Sequence, residues 1–111
     1  MTQAPDLLRR AGAEALGAFA LVFAGCGAIV TDAHTHGALG AVGVSLVFGL
    51  VILAAIAALG HVSGAHFNPA VTLSFFITRH LPGRDALAYL AGQLAGAVLA
   101  ALLLWAIWPA Q

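Results

Sequence analysis

Lysine is absent from this chain of 111 residues, and its basic side chains are Arg9, Arg10, Arg79 and Arg84. Set against Asp6, Glu14, Asp32 and Asp85, they leave a formal net charge of zero. No basic surface is available to neutralise phosphates, which excludes nucleic acid as a partner. Cysteine occurs once, as Cys26 inside an apolar run, so neither a disulfide framework nor a cysteine-held metal cluster can form. Cys26 reads as a small packing residue. The sequence also lacks a Ser-His-Asp set, paired carboxylates and a phosphate-cradling glycine loop, so no enzyme, catalytic residue or cofactor is expected. Charged residues make up only 7% of the chain, whereas a soluble domain carries roughly a quarter. What is present instead is apolar: 62% of residues are hydrophobic and the mean hydropathy is +1.03. Such a chain belongs in lipid.

The charges divide the sequence into three long apolar runs, residues 11–30 (broken only by Glu14), 38–59 and 86–108. Each supplies the roughly 20 residues that a helix rising about 1.5 Å per residue needs to cross a hydrocarbon core of about 30 Å. The Arg9-Arg10 pair ahead of the first run resembles the start of a secretion signal. A signal's apolar region is shorter, usually about 7 to 15 residues, and would not carry a Glu, so a retained first helix is the reading. The link Thr31-Asp32-Ala33-His34-Thr35-His36-Gly37 is short and polar and makes the first two helices an antiparallel pair. Asp32, His34 and His36 alternate within it, but they lack a fourth ligand and a rigid frame, so they read as a solvated loop and no metal site is expected. Trp105 and Trp108 suit the far membrane interface.

Between the second and third runs lies a different kind of segment. Gly60 to Gly64 reads as loop by composition, and Asn68 to Thr78 as a short helix, because Asn is a strong N-cap and Pro is favoured at the first helical position. About ten residues span roughly 15 Å, half a membrane. With the N-terminus in the cytoplasm, a crossing here would put Arg79 and Arg84 outside; a segment that dips in and returns over residues 60–78 keeps every arginine inside. The expected architecture is therefore an all-α membrane protein of three transmembrane helices plus one re-entrant half-helix, a single unit over residues 1–111.

Non-helical backbone at membrane depth must be buried in protein or border a water-filled cavity. Gly60, Ser63, Gly64 and Ala65 permit an extended path with a row of carbonyl acceptors. Asn68 would cap the half-helix through its side-chain oxygen and leave its amide as a donor. The helix N-terminus, worth roughly half a positive charge, would disfavour cations.

The run Ser63-Gly64-Ala65-His66-Phe67-Asn68-Pro69-Ala70-Val71-Thr72 resembles the first Asn-Pro-Ala loop of the aquaporin and aquaglyceroporin (major intrinsic protein) family. Glu14-Ala15-Leu16-Gly17-Ala18-Phe19 is similar to that family's first-helix motif, and Tyr89-Leu90-Ala91-Gly92-Gln93-Leu94-Ala95-Gly96-Ala97 to its third-helix motif. The resemblance covers nearly the whole chain. It implies one inverted repeat of the aquaporin fold, serving a passive channel for water, or for small neutral solutes such as glycerol, that excludes cations and protons. It further implies that Asn68 donates to solute at the constriction, with Pro69 and Ala70 setting the half-helix start. The carbonyls of Gly64, Ala65 and His66 would line the pore, and Phe48 matches the second-helix position of the outer selectivity filter, as in water-selective members. Glu14 is expected to brace the loop through backbone N–H groups or His66.

Gln93 reads as a buried amide that pairs across helices, and Ala88, Gly92, Gly96 and Ala100, with Ala41, Ser45 and Gly49, as close-contact stripes. His61 reads as a loop histidine at the cytoplasmic mouth. Family members resemble two such halves in inverted orientation, whereas this sequence holds one Asn-Pro-Ala. The competing expectation is thus a truncated, non-conducting half-channel that needs a complementary half. The partners implied are a plasma or inner membrane, crossed several times, and a homotetramer for a full-length protein.

Overall fold

The computed structural model describes residues 5–109. Four helices follow one another: α1 Leu7–His34, α2 Gly40–Ser63, α3 Pro69–Ile77 and α4 Gly83–Ile107. The fold is all-α, and α1, α2 and α4 are long and apolar enough to cross a membrane. At 9 residues, or about 14 Å, α3 is not. The described residues extend 50 × 26 × 25 Å, so the long axis exceeds a hydrocarbon core of about 30 Å and reaches through the headgroup regions.

Local chemistry sets the helix ends, and at several of them the structure departs from the apolar-run reading. The first helix begins at Leu7, not near residue 11, because Asp6 caps it by accepting from the Arg9 backbone N–H at 2.8 Å. It runs on to His34, past the apolar run, because polar residues at a membrane interface do not stop a helix. Asp32 belongs to its last turn and is not a loop residue: its Oδ1 accepts from the backbone N–H groups of Leu39 at 3.0 Å and Gly40 at 2.8 Å. One carboxylate thus satisfies two orphan donors at the start of α2. Asp32→Ala is expected to lower stability by about 1 kcal/mol, read as a lower thermal midpoint in detergent; an unchanged midpoint would remove this capping role. His34 is fixed beside it, donating Nδ1–H to the Val30 carbonyl at 2.9 Å and tilting against Trp108 at 4.4 Å between ring centres.

The segment from Gly60 to Ser63 is helical, not loop. A single glycine in an apolar helix costs only about 1 kcal/mol and does not end it. The stop comes at Gly64, whose φ of 87° lies in the left-handed region and whose N–H closes on the Gly60 carbonyl at 2.9 Å.

The first helix is central, packing against both α2 and α4, while α3 rests on α4. In α4 the buried residues Ala86, Tyr89, Gln93, Gly96 and Ala100 recur at alternating steps of three and four, one face of a helix. The backbones approach closely there. A Cβ on Gly96 would strike the Ala15 carbonyl oxygen of α1, and one on Gly92 would crowd the Ala11 carbonyl. The corresponding small residues of α2, Ala41, Ser45 and Gly49, instead line an open apolar groove of about 500 Å³ on the outer face.

Candidate functional site

The buried polar side chains Glu14, Ser63, Thr72 and Gln93 gather at one point. Glu14 lies two turns into α1 with 0% of its surface exposed, so it reaches no interface. Its carboxylate accepts four hydrogen bonds: from Ser63 Oγ at 2.6 Å and the His66 backbone N–H at 3.1 Å on Oε2, and from the Phe67 N–H at 2.8 Å and Gln93 Nε2 at 2.7 Å on Oε1. Two oxygens with two partners each exhaust the acceptor capacity of a carboxylate. In an apolar surrounding this saturation is what makes the buried polar group tolerable.

The same four bonds explain the shape of residues 64–67. The path is not the extended one that the small residues suggested. Ala65 and Phe67 have φ of 57° and 52°, in the left-handed region that costs a non-glycine residue about 1–2 kcal/mol. The carboxylate compensates, because only this fold of the chain aims the successive N–H groups of His66 and Phe67 at one side chain. Packing adds to it. The buried Phe67 ring occupies the space where a side chain on Gly17 would be, so α1 has a glycine where the loop crosses it. In the same way Phe48 of α2 fills the space over Gly25 of α1.

A second tier of contacts ties the loop to α3 and α4. Gln93 of α4 also donates Nε2 to Thr72 Oγ1 at 2.9 Å, and Thr72 lies 2.9 Å from His66 Nδ1. The His66 ring stacks on Phe75 at 4.8 Å and tilts against Tyr89 at 5.0 Å. Tyr89 sends its hydroxyl hydrogen to the Ser63 carbonyl at 2.6 Å, satisfying an orphan acceptor where α2 ends. Arg10 completes the floor: its guanidinium pairs with Asp85 at 2.9 Å and lies 5.9 Å from the centre of the Tyr89 ring.

Asn68 stands where loop becomes helix. Its Oδ1 accepts from the Ala70 N–H at 2.8 Å, while its amide nitrogen makes no bond among the described residues. Asn68, Pro69 and Ala70 are exposed, and apart from α4 no helix packs against α3 among the described residues. Gly64 is exposed, and Ala65, His66 and Phe48 are partly so.

The structure therefore brings Glu14, Gln93 and His66 into one network, sets Gly64, Ala65, Asn68, Pro69 and Ala70 along its open side, and leaves Phe48 apart on α2. The sequence marks Ser63 only as a small residue of the loop path and marks no individual role for Thr72 or Tyr89. For Thr72 a signal existed, since a hydroxyl one turn after a helix cap in an otherwise mostly apolar segment needs a partner if it is buried.

Aquaporin NIP1-1 of Oryza sativa subsp. japonica is 48% identical over 89 residues, which is 80% of this chain and 31% of that protein. Aquaporin Z of Photorhabdus laumondii subsp. laumondii is 44% identical over 106 residues, 95% of this chain and 46% of its own. Nodulin-26 of Glycine max is 41% identical over 93 residues, 84% of this chain and 34% of its own. The chain spans less than half the length of these curated relatives. The sequence model described as Major intrinsic protein matches residues 1–111, and the chain belongs to that family.

Proposed function

We propose that this chain forms one wall of a passive membrane channel for water, or for small neutral solutes such as glycerol, and that it is not an enzyme. The observation that carries this reading is Asn68. Its oxygen is held by the Ala70 N–H, so its unpaired amide N–H₂ is presented on the exposed side of α3, next to a non-helical segment that must border protein or water in a bilayer. Donor, adjacent backbone acceptors at Gly64, Ala65 and His66, and the positive end of the α3 dipole suit a neutral hydrogen-bonding solute and disfavour a cation. In this reading Pro69 and Ala70 set the constriction with Asn68, Phe48 contributes to a selectivity filter, and Glu14 and Gln93 brace the loop. The four arginines support an N-terminus on the cytoplasmic side of a cell membrane, and a full-length form would be a homotetramer.

A second reading is favoured by the exposed face of α3: the wall needs a complementary half before solute can pass. Stopped-flow shrinkage of lipid vesicles tests both. Vesicles holding this chain with the complementary half of a relative should shrink faster than bare lipid; the chain alone should do so only if it closes a pore with itself. Bare-lipid rates in both preparations would overturn the channel. Glycerol-driven swelling of the same vesicles separates the two solute classes. In the conducting preparation, Asn68→Asp is expected to raise proton and cation leak by removing the donor and adding a negative charge at the dipole's positive end. An unchanged leak would remove the electrostatic account of exclusion.

A further inference from the structure

We propose that Gln93 and Thr72 are positioning residues that hold His66 as a neutral imidazole with its proton on Nε2, so that this side chain offers a donor beside Gly64. The assignment begins with groups whose direction is not open to choice. The backbone N–H groups of His66 and Phe67 can only donate, and each reaches a different oxygen of Glu14. Ser63 Oγ receives the Ala65 N–H at 3.2 Å and so sends its own hydrogen to Glu14. The carboxylate is thus an acceptor toward every neighbour.

It follows that the Gln93 atom 2.7 Å from Glu14 Oε1 is the amide nitrogen, since turning the amide over would set two oxygens against each other. That orientation leaves Gln93 Oε1 buried without a partner among the described residues. The demand for donors around Glu14, not the comfort of the amide, fixes it. An amide nitrogen has two hydrogens, and the second goes to Thr72 Oγ1 at 2.9 Å. Thr72 has then accepted from Gln93, and its single hydrogen has no acceptor among the described residues other than the ring nitrogen 2.9 Å away, His66 Nδ1, to which it is therefore assigned. A nitrogen that receives a hydrogen bond carries no proton, so the neutral ring keeps its proton on Nε2.

The ring is also clamped. Phe75 stacks on it and Tyr89 tilts against it, so it cannot readily turn over and exchange its nitrogens. Nε2 makes no hydrogen bond among the described residues and lies 3.7 Å from where a Gly64 side chain would begin. The donor therefore stands at the first residue of the non-helical segment, where the proposed channel would otherwise offer carbonyl acceptors.

Nitrogen NMR of the full chain in lipid bilayers, with ¹⁵N-labelled histidine at a pH where imidazoles are neutral, tests this directly. His66 is assigned as the signal lost in His66→Asn. Its Nδ1 should resonate as an unprotonated nitrogen and its Nε2 as a protonated one; the reverse pattern overturns the proposal. Thr72→Val keeps the shape but has no hydrogen to give, and the two tautomers should then both be populated, with Thr72→Ser restoring the single form. A single Nε2–H form persisting in Thr72→Val would equally overturn it. The measurement reads protonation in the resting chain and stays independent of whether the vesicles conduct.

Discussion

Replacing Glu14 by alanine is expected to release the loop: exchange of the His66 and Phe67 amide hydrogens should accelerate by at least about 30-fold, with a lower thermal midpoint in detergent. Both backbone donors lie on Glu14 and, among the described residues, on no other acceptor. A buried donor left without a partner costs on the order of 1–3 kcal/mol, so two cost about 2–6 kcal/mol. The lower bound already corresponds to the stated acceleration, at a factor of ten for each 1.4 kcal/mol. The left-handed backbone at Ala65 and Phe67 adds to the effect, because without the carboxylate only the packing of the Phe67 ring offsets its strain. Glu14→Gln should fall between, since one end of the amide would face a backbone N–H as a second donor. Unchanged protection at these two amides in the alanine variant would mean that packing of Phe67 against Gly17 holds the loop without help.

The second large effect is steric. Gly96→Ala introduces a Cβ onto the Ala15 carbonyl oxygen, a backbone atom that cannot rotate aside. The two helices must separate, at an expected cost of about 1–3 kcal/mol for overpacking. Gln93 sits one turn away on the same face and reaches Glu14 across this contact. Amide exchange at residues 66 and 67 should therefore rise as well, although neither touches Gly96. Gly12→Ala is the control, because a Cβ there meets nothing within 4 Å, and helix propensity alone should raise its stability by up to about 1 kcal/mol, read as a higher midpoint. Equal midpoints for the two variants would show that α1 and α4 can part without loss.

Much of this molecule is legible from local chemistry. Hydropathy runs of sufficient length yield three spans, and Asn68 followed by Pro69 yields a helix start that the structure places at the same residue. Helix ends are less legible, because composition does not distinguish a glycine inside a helix from one that ends it. Gly60 is helical and Gly64 left-handed, and the difference is whether the following N–H groups find a partner other than the helix itself.

The sequence by itself determined that this chain belongs in a bilayer, that it carries a short fourth helix, and that Glu14 and Gln93 each required a polar partner, since an apolar medium leaves such groups no other choice. Only the tertiary structure decided that the partner is shared. Glu14, Ser63, His66, Thr72 and Gln93 come from separate elements up to 79 positions apart, and no periodicity or local propensity records which of them will meet. Close approach of α1 and α4 at Gly92 and Gly96 brings them together, and the saturation of one carboxylate by four donors then fixes the shape of the loop.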